Sequence, residues 1–131
     1  MNTKIIWVVD DDPIYQIIIQ KIIQKSGMFS SFLKFSNGKE AIVALKHKIE
    51  KEELLPDFIL LDINMPIMDG WEFMDEAIQI ESKINKKIAI YIVSSSIAVE
   101  DKYRAKTYLS ILGYLSKPVT VENLAKIVSV H

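Results

Sequence analysis

Near its amino terminus the chain reads IIWVVDDDP over residues 5–13, an apolar segment that ends in three acids and a proline. A second apolar segment, Phe58 to Leu61, also ends in an acid, Asp62. If the two segments form adjacent parallel strands, several carboxylates gather at one edge of the sheet. Crowded carboxylates repel one another, and a hard divalent cation with oxygen ligands relieves the repulsion. The two segments therefore predict a Mg²⁺ site with a spare carboxylate beside it, as phosphoryl chemistry requires.

The composition is that of one globular domain, which we expect to span residues 1–131. The net charge of −1 gives no reason to expect a nucleic-acid partner. The absence of cysteine excludes disulfides, zinc–thiolate sites and thiol nucleophiles. No apolar run approaches the roughly 20 residues of a membrane span, and no secretory signal is evident near Lys4. We therefore expect a cytoplasmic protein without a membrane segment.

Apolar strand-like segments alternate with helical patterns along the whole chain. Strands are expected at Ile5 to Val9, Phe32 to Phe35, Phe58 to Leu61, Ile88 to Val93, and Tyr114 to Leu115. Helices are expected to start at Asp12-Pro13, Asn37, Asp69-Gly70 and Thr120, with a weaker one from Val99 to Leu109. This strict alternation predicts an α/β fold, a (βα)5 doubly wound parallel five-stranded sheet with helices on both faces.

The first helix has a strong apolar stripe. Ile14, Ile18 and Ile22, with Ile17 beside them, recur at helical spacing, and Gly27 supplies the end of the helix. We expect this stripe to face the core.

Polar residues cluster where the strands end. Asp10 to Asp12, Asp62, Ser94 and Ser116-Lys117 all follow or close an expected strand. Ligands of doubly wound folds bind beyond the carboxyl ends of the strands, at the switch in strand order. The sequence therefore predicts one functional site along this rim.

Four motifs carry a resemblance to a known family. They are VVDDDP (residues 8–13), LLDINMPIMDG (60–70), VSS (93–95) and GYLSKP (113–118). In order and spacing, the chain resembles the receiver domain of two-component response regulators over essentially its whole length. The resemblance implies a flavodoxin-like sheet with strand order 2-1-3-4-5.

The resemblance implies a role for each acidic residue of the rim. Asp62 matches the phosphoacceptor, whose carboxylate attacks phosphorus to form an aspartyl phosphate. Asp11 and Asp62 match direct Mg²⁺ ligands, and Asn64 matches the position whose backbone carbonyl completes the metal site. Asp10 matches the other member of the acidic pair, which acts through water or as a supporting charge.

The resemblance also assigns residues at the other strand ends. Lys117 matches a cation that neutralises a phosphoryl oxygen, and its peptide bond to Pro118 is cis in the family. Ser94 matches a hydroxyl that hydrogen-bonds the phosphoryl group. Tyr114 matches an aromatic switch residue whose inward or outward rotamer follows phosphorylation.

The implied function is that of a phosphoacceptor in a His-Asp phosphorelay. A sensor histidine kinase or a histidine phosphotransfer protein would donate the phosphoryl group, and a downstream protein would receive the signal. The chain would not be a conventional enzyme, although it would catalyse its own Mg²⁺-dependent phosphorylation and dephosphorylation. We expect a monomer or a phosphorylation-dependent dimer. No output domain follows the fifth helix in this sequence. The domain is therefore expected either to stand alone or to belong to a longer protein, and the sequence leaves both open.

Three rival functions fit the sequence less well. An aspartate-nucleophile phosphohydrolase normally carries its nucleophile on the first strand, with a second aspartate two residues later. A flavin-binding module would need hydroxyls and glycine in the first loop, where Asp10 to Asp12 would repel phosphate. A receiver fold used only for protein interaction would not need Asp62, Ser94 and Lys117 together.

Further expectations concern residues outside the central motifs. Asn64 and Ser96 are expected to tune the access of water to the phosphoryl group, while His47 and His131 are expected to be solvated and without a role. A partner-binding surface is expected on the fourth helix, fifth strand and fifth helix, with Tyr108 alternatively completing the core; its side chains are Tyr103, Tyr108, Tyr114, Val119 and Val121.

Overall fold

Five strands and five α-helices alternate in the computed structural model, which describes residues 4–95 and 97–131. The strands are β1 (Ile5–Val9), β2 (Ser31–Phe35), β3 (Phe58–Leu61), β4 (Ala89–Ser94) and β5 (Ile111–Ser116). The helices are α1 (Pro13–Ser26), α2 (Gly38–Glu50), α3 (Gly70–Gln79), α4 (Val99–Ala105) and α5 (Val121–Val130). A short 3₁₀ helix, Glu81–Lys83, follows α3. The expectation for Ser96 lies outside the described residues.

The strands form one parallel sheet in the order β2-β1-β3-β4-β5. The predicted fold class and strand order are therefore confirmed. In register, Val9 pairs with Leu61, and Leu61 pairs with Ile92. The last residues of β1 and β3 consequently lie side by side, and β4 extends two residues past Ile92 to Ser94, so the residues that follow β1 and β3 lie near the end of β4 at one rim.

Local capping explains where several helices begin. The Asp12 carboxylate accepts hydrogen bonds from the N–H groups of Ile14 and Tyr15, and Pro13 occupies the first helical position. Gly27 ends α1 in the left-handed conformation, with φ at 66°. Capping boxes begin α3 at Asp69 and α5 at Thr120.

Asn37 and Glu40, three residues apart, have the sequence of a capping box, but only half of the box is formed. The Asn37 side chain accepts from the N–H of Glu40, as expected. The Glu40 carboxylate, however, accepts from the N–H of Ser36 and not from that of Asn37.

The sheet separates two hydrophobic layers. The layer under α2 and α3 includes Trp7, Leu61 and Phe73, and the layer under α1 and α5 includes Ile6, Phe58 and Leu124. The central strands β1, β3 and β4 are buried on both faces, which explains their continuous apolar sequences.

The expected core face of α1 is wrong for Ile14, Ile17 and Ile18, whereas Ile22 is half-buried and packs against the core. Ile14, Ile17 and Ile18 are 69%, 53% and 46% exposed, whereas Tyr15, Gln16, Ile19 and Ile23 are buried. Because α1 is apolar nearly all round, residues 15, 19 and 23 satisfy helical spacing as well as the isoleucine stripe does. Periodicity alone therefore could not choose between the two faces.

The region around α4 and β5 also departs from expectation. Helix α4 ends at Ala105 instead of Leu109, and β5 begins at Ile111 instead of Tyr114. The helix ends early because Tyr108 stacks on Trp71, with ring centroids 5.8 Å apart, and its hydroxyl donates to Asp75. Strand β5 was underestimated because, as an edge strand, it alternates buried and more exposed positions around Gly113.

Two residues expected on the partner surface belong to the core. Val119 is fully buried, and Tyr108 is held between Trp71 and Asp75. Tyr103 and Tyr114 remain exposed. The aromatic surface is therefore smaller than predicted.

The two histidines differ from each other. His47 is exposed, as expected, with Nδ1 3.8 Å from a carboxylate oxygen of Glu53. His131 is also exposed, but its Nε2 lies 3.1 Å from the Tyr91 hydroxyl and its ring packs edge-on against Phe58. Both histidines are therefore exposed as expected, and His131 in addition contacts two core residues.

None of the helices described is both long and apolar enough to span a membrane.

Candidate functional site

Three carboxylates meet where β1 and β3 end. Asp10 and Asp11 follow β1, and Asp62 follows β3. The Asp62 N–H donates to the Val9 carbonyl at 2.9 Å, which extends the ladder between the two strands past their last residues. One carboxylate oxygen from each of Asp10, Asp11 and Asp62 lies within 4.8 Å of the other two. The cluster predicted from the two strand ends is therefore present.

Asp10 is the most deeply buried of the three and has partners for both oxygens. Its side chain is 2% exposed. Its Oδ1 accepts from the Asp12 N–H at 2.9 Å, and its Oδ2 lies 2.7 Å from the Lys117 ammonium. A buried charge needs such pairing, since desolvation would otherwise be costly.

Asp62 lies at the centre of the rim. Its Oδ1 accepts from the Ile63 N–H at 2.9 Å, and its Oδ2 is 4.0 Å from the Lys117 ammonium. Burial, reinforced by the charge of Asp10 and less strongly by that of Asp11, raises the pKa of the Asp62 carboxyl to about 6. Lys117 and the Ile63 N–H act in the opposite direction. This carboxyl is thus easily neutralised by a proton or a cation.

Lys117 directly follows β5, and a backbone hydrogen bond to β4 holds it at the rim. Its N–H donates to the Ser94 carbonyl at 2.9 Å, and its peptide bond to Pro118 is cis. Ser94 closes β4 and pairs in register with Ser116. The structure therefore brings Ser94 and Lys117 to the same edge as Asp62, as predicted.

The loop that carries Asn64 is closed by a tight glycine contact. Asn64 is exposed two residues after Asp62, and Ile67 has a positive φ of 69°. The Gly70 N–H donates to the Ile63 carbonyl at 2.8 Å. A Cβ on Gly70 would lie 2.5 Å from the Asp62 carbonyl oxygen, so only glycine lets α3 begin this close to Asp62.

Tyr114 lies outside the carboxylate cluster. It is 45% exposed on β5, and the Lys102 ammonium lies 5.2 Å from its ring centroid. The tyrosine expected to act as a switch is therefore in an outward position here.

Sequence reasoning missed two residues of α1 beside the site. The Gln16 amide donates to the carbonyls of Val8, Asp10 and Phe35, which ties the ends of β1 and β2 together. The Tyr15 ring lies against Lys117, whose ammonium is 4.4 Å from the ring centroid. The only sequence signal for either residue was its spacing from Ile19 and Ile23, which the isoleucine stripe obscured.

The donor set fits a hard divalent cation. All three side chains offer carboxylate oxygen, and Asp11 is exposed, which leaves room for the water that Mg²⁺ retains. Asp10 is already paired with Lys117, so Asp11 and Asp62 are the side chains best placed to bind a metal directly.

The comparisons with known proteins point to one family. Residues 6–129 match the response regulator receiver domain family. The sensor histidine kinase CheAY of Helicobacter pylori is 31% identical over 126 residues, which are 95% of this chain and 14% of that protein. The probable C4-dicarboxylate response regulator DctR of Halalkalibacterium halodurans is 30% identical over 118 residues, or 88% of this chain and 46% of that protein. The chain thus spans less than half the length of these relatives.

Solved structures agree in fold. A two-component response regulator from Cytophaga hutchinsonii has a TM-score of 0.89 and 26% identity, covering 98% of this chain and 96% of that one. The Mg²⁺ complex of the receiver domain of the Arabidopsis thaliana histidine kinase CKI1 has a TM-score of 0.81 and 25% identity, covering 98% and 92% of the two chains.

The chain belongs to the response regulator receiver domain family of two-component signalling. Receiver domains are signalling modules, not conventional enzymes, and phosphorylation on an aspartate is general in the family. They interact with histidine kinases or phosphotransfer proteins, and they bind Mg²⁺ at an acidic pocket.

Proposed function

We propose that this chain is a phosphoacceptor whose nucleophile is Asp62. The observation that carries the proposal is the placement of Asp62 between two further carboxylates and the Lys117 ammonium. The Oδ2 of Asp62 also accepts none of the hydrogen bonds described, and the Lys117 ammonium is 4.0 Å from it.

The transfer is a displacement at phosphorus. An Asp62 carboxylate oxygen forms the new P–O bond while the P–N bond to the donor's histidine breaks. The bonding electron pair returns to the imidazole, which then takes a proton from solvent. In the second half of the cycle, water attacks phosphorus, the P–O bond to Asp62 breaks, and inorganic phosphate leaves. The contribution of the chain is mostly positioning and charge neutralisation.

The metal ligands that we propose are the carboxylates of Asp11 and Asp62 and the backbone carbonyl of Asn64. Mg²⁺ bound there would neutralise charge between Asp62 and the incoming phosphoryl oxygens. Asp10 supports the site through its contacts with Lys117 and the Asp12 N–H.

Lys117 and Ser94 are proposed to bind the transferred group. Lys117 is 2.7 Å from Asp10 and 4.0 Å from Asp62, so a small shift moves its ammonium from one carboxylate towards the other. Such a shift would follow the added negative charge on Asp62. Tyr114, exposed beside Lys102, is the proposed switch residue on the adjoining surface.

The proposed partners are a sensor histidine kinase or histidine phosphotransfer protein as donor, and a protein target downstream. We propose that the chain acts in the cytoplasm as a single domain, as a monomer or phosphorylation-dependent dimer, without a nucleic-acid partner.

Intact-mass measurement tests the nucleophile. Acetyl phosphate with Mg²⁺ should add one phosphoryl group, about 80 Da, to the wild type and none to Asp62→Asn, because an amide is a poor nucleophile. Asp57→Asn, which changes an aspartate at the opposite end of β3, is the matched control and should retain the adduct. An undiminished adduct in Asp62→Asn would remove Asp62 from the mechanism.

A further inference from the structure

Tyr15 carries a buried hydroxyl without a hydrogen-bond partner among the described residues. The residue is 8% exposed, and its hydroxyl oxygen is inaccessible to solvent. Buried hydroxyls are nearly always hydrogen-bonded, because an unpaired one loses its contact with water and gains nothing in return. The hydroxyl therefore needs an acceptor, and none of the described residues supplies one.

The position of Tyr15 indicates where that acceptor would be. The ring lies 4.4 Å from the Lys117 ammonium, which in turn contacts Asp10 and faces Asp62. Burial, followed by the negative charges of Asp10 and Asp62, raises the pKa of the Tyr15 hydroxyl above its ordinary value. The hydroxyl therefore keeps its proton and is a permanent donor beside the acidic cluster.

The neighbouring residues do not account for this hydroxyl. Asp10 already has partners for both oxygens, the Oδ1 of Asp62 accepts from Ile63, and the Oδ2 of Asp62 makes no hydrogen bond with the Tyr15 hydroxyl. Tyr108, another buried tyrosine, has the partner that Tyr15 lacks, since its hydroxyl donates to Asp75 at 2.7 Å. A core phenylalanine would pack at position 15 equally well without an unpaired group.

We propose that Tyr15 is a further binding residue of this site, whose hydroxyl donates a hydrogen bond to the oxygen-bearing group present when the site is loaded. The inference rests on the proposed phosphoacceptor function. Two sources share the required chemistry: an oxygen of the phosphoryl group on Asp62, and a water molecule on the bound metal. In either case, the face of the Tyr15 ring also steadies the Lys117 ammonium.

Tyr15→Phe tests the hydroxyl and leaves the ring in place. In the metal-free protein, the unfolding midpoint of Tyr15→Phe should equal or exceed that of the wild type, because an unpaired donor is removed. Tyr108→Phe is the matched control and should lower the midpoint, because it breaks an existing hydrogen bond. A loss in Tyr15→Phe comparable to that in Tyr108→Phe would mean that a trapped water already satisfies the hydroxyl, and would overturn the proposal.

Titration distinguishes the two sources. With Mg²⁺ and beryllofluoride, a mimic of the phosphoryl group, Tyr15→Phe should bind about five- to tenfold more weakly than the wild type. If Mg²⁺ alone binds Tyr15→Phe as tightly as the wild type, the acceptor is the phosphoryl oxygen; an equal loss for Mg²⁺ alone identifies the metal-bound water. Equal affinities of both proteins in both titrations would overturn the role of Tyr15.

The same titration separates failure of this inference from failure of the proposed function. A wild type that binds neither Mg²⁺ nor beryllofluoride overturns both. A wild type that binds both, with an unaffected Tyr15→Phe, overturns only the inference about Tyr15. Tyr108→Phe should bind both probes like the wild type, because its hydroxyl lies under α3, away from the acidic cluster.

Discussion

The Asp62 carboxyl experiences opposing influences that set its protonation. Burial and the negative charges of Asp10 and Asp11 raise its pKa to about 6, while Lys117 and the Ile63 N–H limit the rise. The folded protein therefore holds a proton at Asp62 over a pH range in which the unfolded chain, with an ordinary value of 3.8, has lost it. Stability contributed by this proton falls as pH rises from 3.8 to about 6 and is absent above that range.

Asp62→Asn should remove this pH dependence in protein free of divalent metal. The variant should be more stable than the wild type at pH 7, by at most about 3 kcal/mol, and the difference should shrink as pH falls from about 6 to about 4. Urea unfolding at several pH values from 4 to 7 measures the difference directly. A stability difference that does not vary with pH would show that Asp62 titrates normally.

Lys117 also has a structural role that can be separated from phosphate binding. Lys117→Met leaves the Asp10 carboxylate buried and unpaired, which should cost about 3–5 kcal/mol of folding free energy. Lys86→Met is the matched control, because Lys86 pairs with Asp57 at 3.0 Å but both side chains are more exposed. Its loss should be smaller when both variants are unfolded in urea at pH 7.

A second change checks the cause of that loss. Adding Asp10→Asn to Lys117→Met removes the unpaired charge and should recover much of the lost stability. If Lys117→Met is no less stable than Lys86→Met, or if Asp10→Asn brings no recovery, burial of Asp10 is not what makes the pair important.

At the scale of elements, the site depends on how closely α3 approaches the end of β3. Gly70→Ala would place a methyl group 2.5 Å from the Asp62 carbonyl oxygen, so the helix or the loop must move. We expect a loss of about 1–3 kcal/mol together with slower phosphorylation by acetyl phosphate, because Asp62 moves with its backbone. Thermal unfolding and intact-mass kinetics measure the two effects.

Gly113→Ala provides the control at the element scale. On β5, the added methyl group would be 3.4 Å from the Tyr91 ring, an ordinary close contact. Stability should change little, and the phosphorylation rate should stay that of the wild type. Equal effects of the two glycine substitutions would mean that the contact between α3 and β3 does not position Asp62.

At the scale of the whole molecule, the exposed face of α1 adjoins the acidic cluster. Ile14, Ile17 and Ile18 are exposed on a helix that begins directly after Asp12. Large exposed apolar side chains grouped on one helix face are typical of binding surfaces. A donor protein that docks there would present its phosphohistidine to Asp62, so we expect this face to contact the donor.

Replacing Ile14 and Ile17 with glutamine should slow transfer from a phosphorylated histidine kinase at least about tenfold, because apolar burial with the partner is lost. Phosphorylation by acetyl phosphate should be unchanged, since the small donor needs no docking surface. Ile78 on α3 is 47% exposed, close to the 53% of Ile17, so Ile78→Gln is the control and should leave both rates unaltered. Equal slowing with both donors would place the effect in the site itself.

Local sequence determined much of this protein. The strands β1, β3 and β4 were predictable because continuous apolar runs of four to six residues are typical of strands buried on both faces. The acidic rim followed from the same runs, since Asp10 and Asp62 come directly after them in the sequence. Caps such as Asp12 and Thr120 were predictable because a cap acts within three residues of its own position.

Tertiary structure decided what the local patterns left ambiguous. α1 offers two apolar faces, and only its packing on the sheet and α5 buries Tyr15 and Ile19 and exposes Ile14, Ile17 and Ile18. α4 ends just before Tyr108, which stacks on Trp71 and donates a hydrogen bond to Asp75. Both partners lie more than 30 residues before Tyr108 in the chain. The pairing of Asp10 with Lys117 and the position of Tyr15 beside them likewise arise only when β5 and α1 meet at the rim. Such contacts depend on distances between residues that are remote in the chain, which composition and periodicity do not encode.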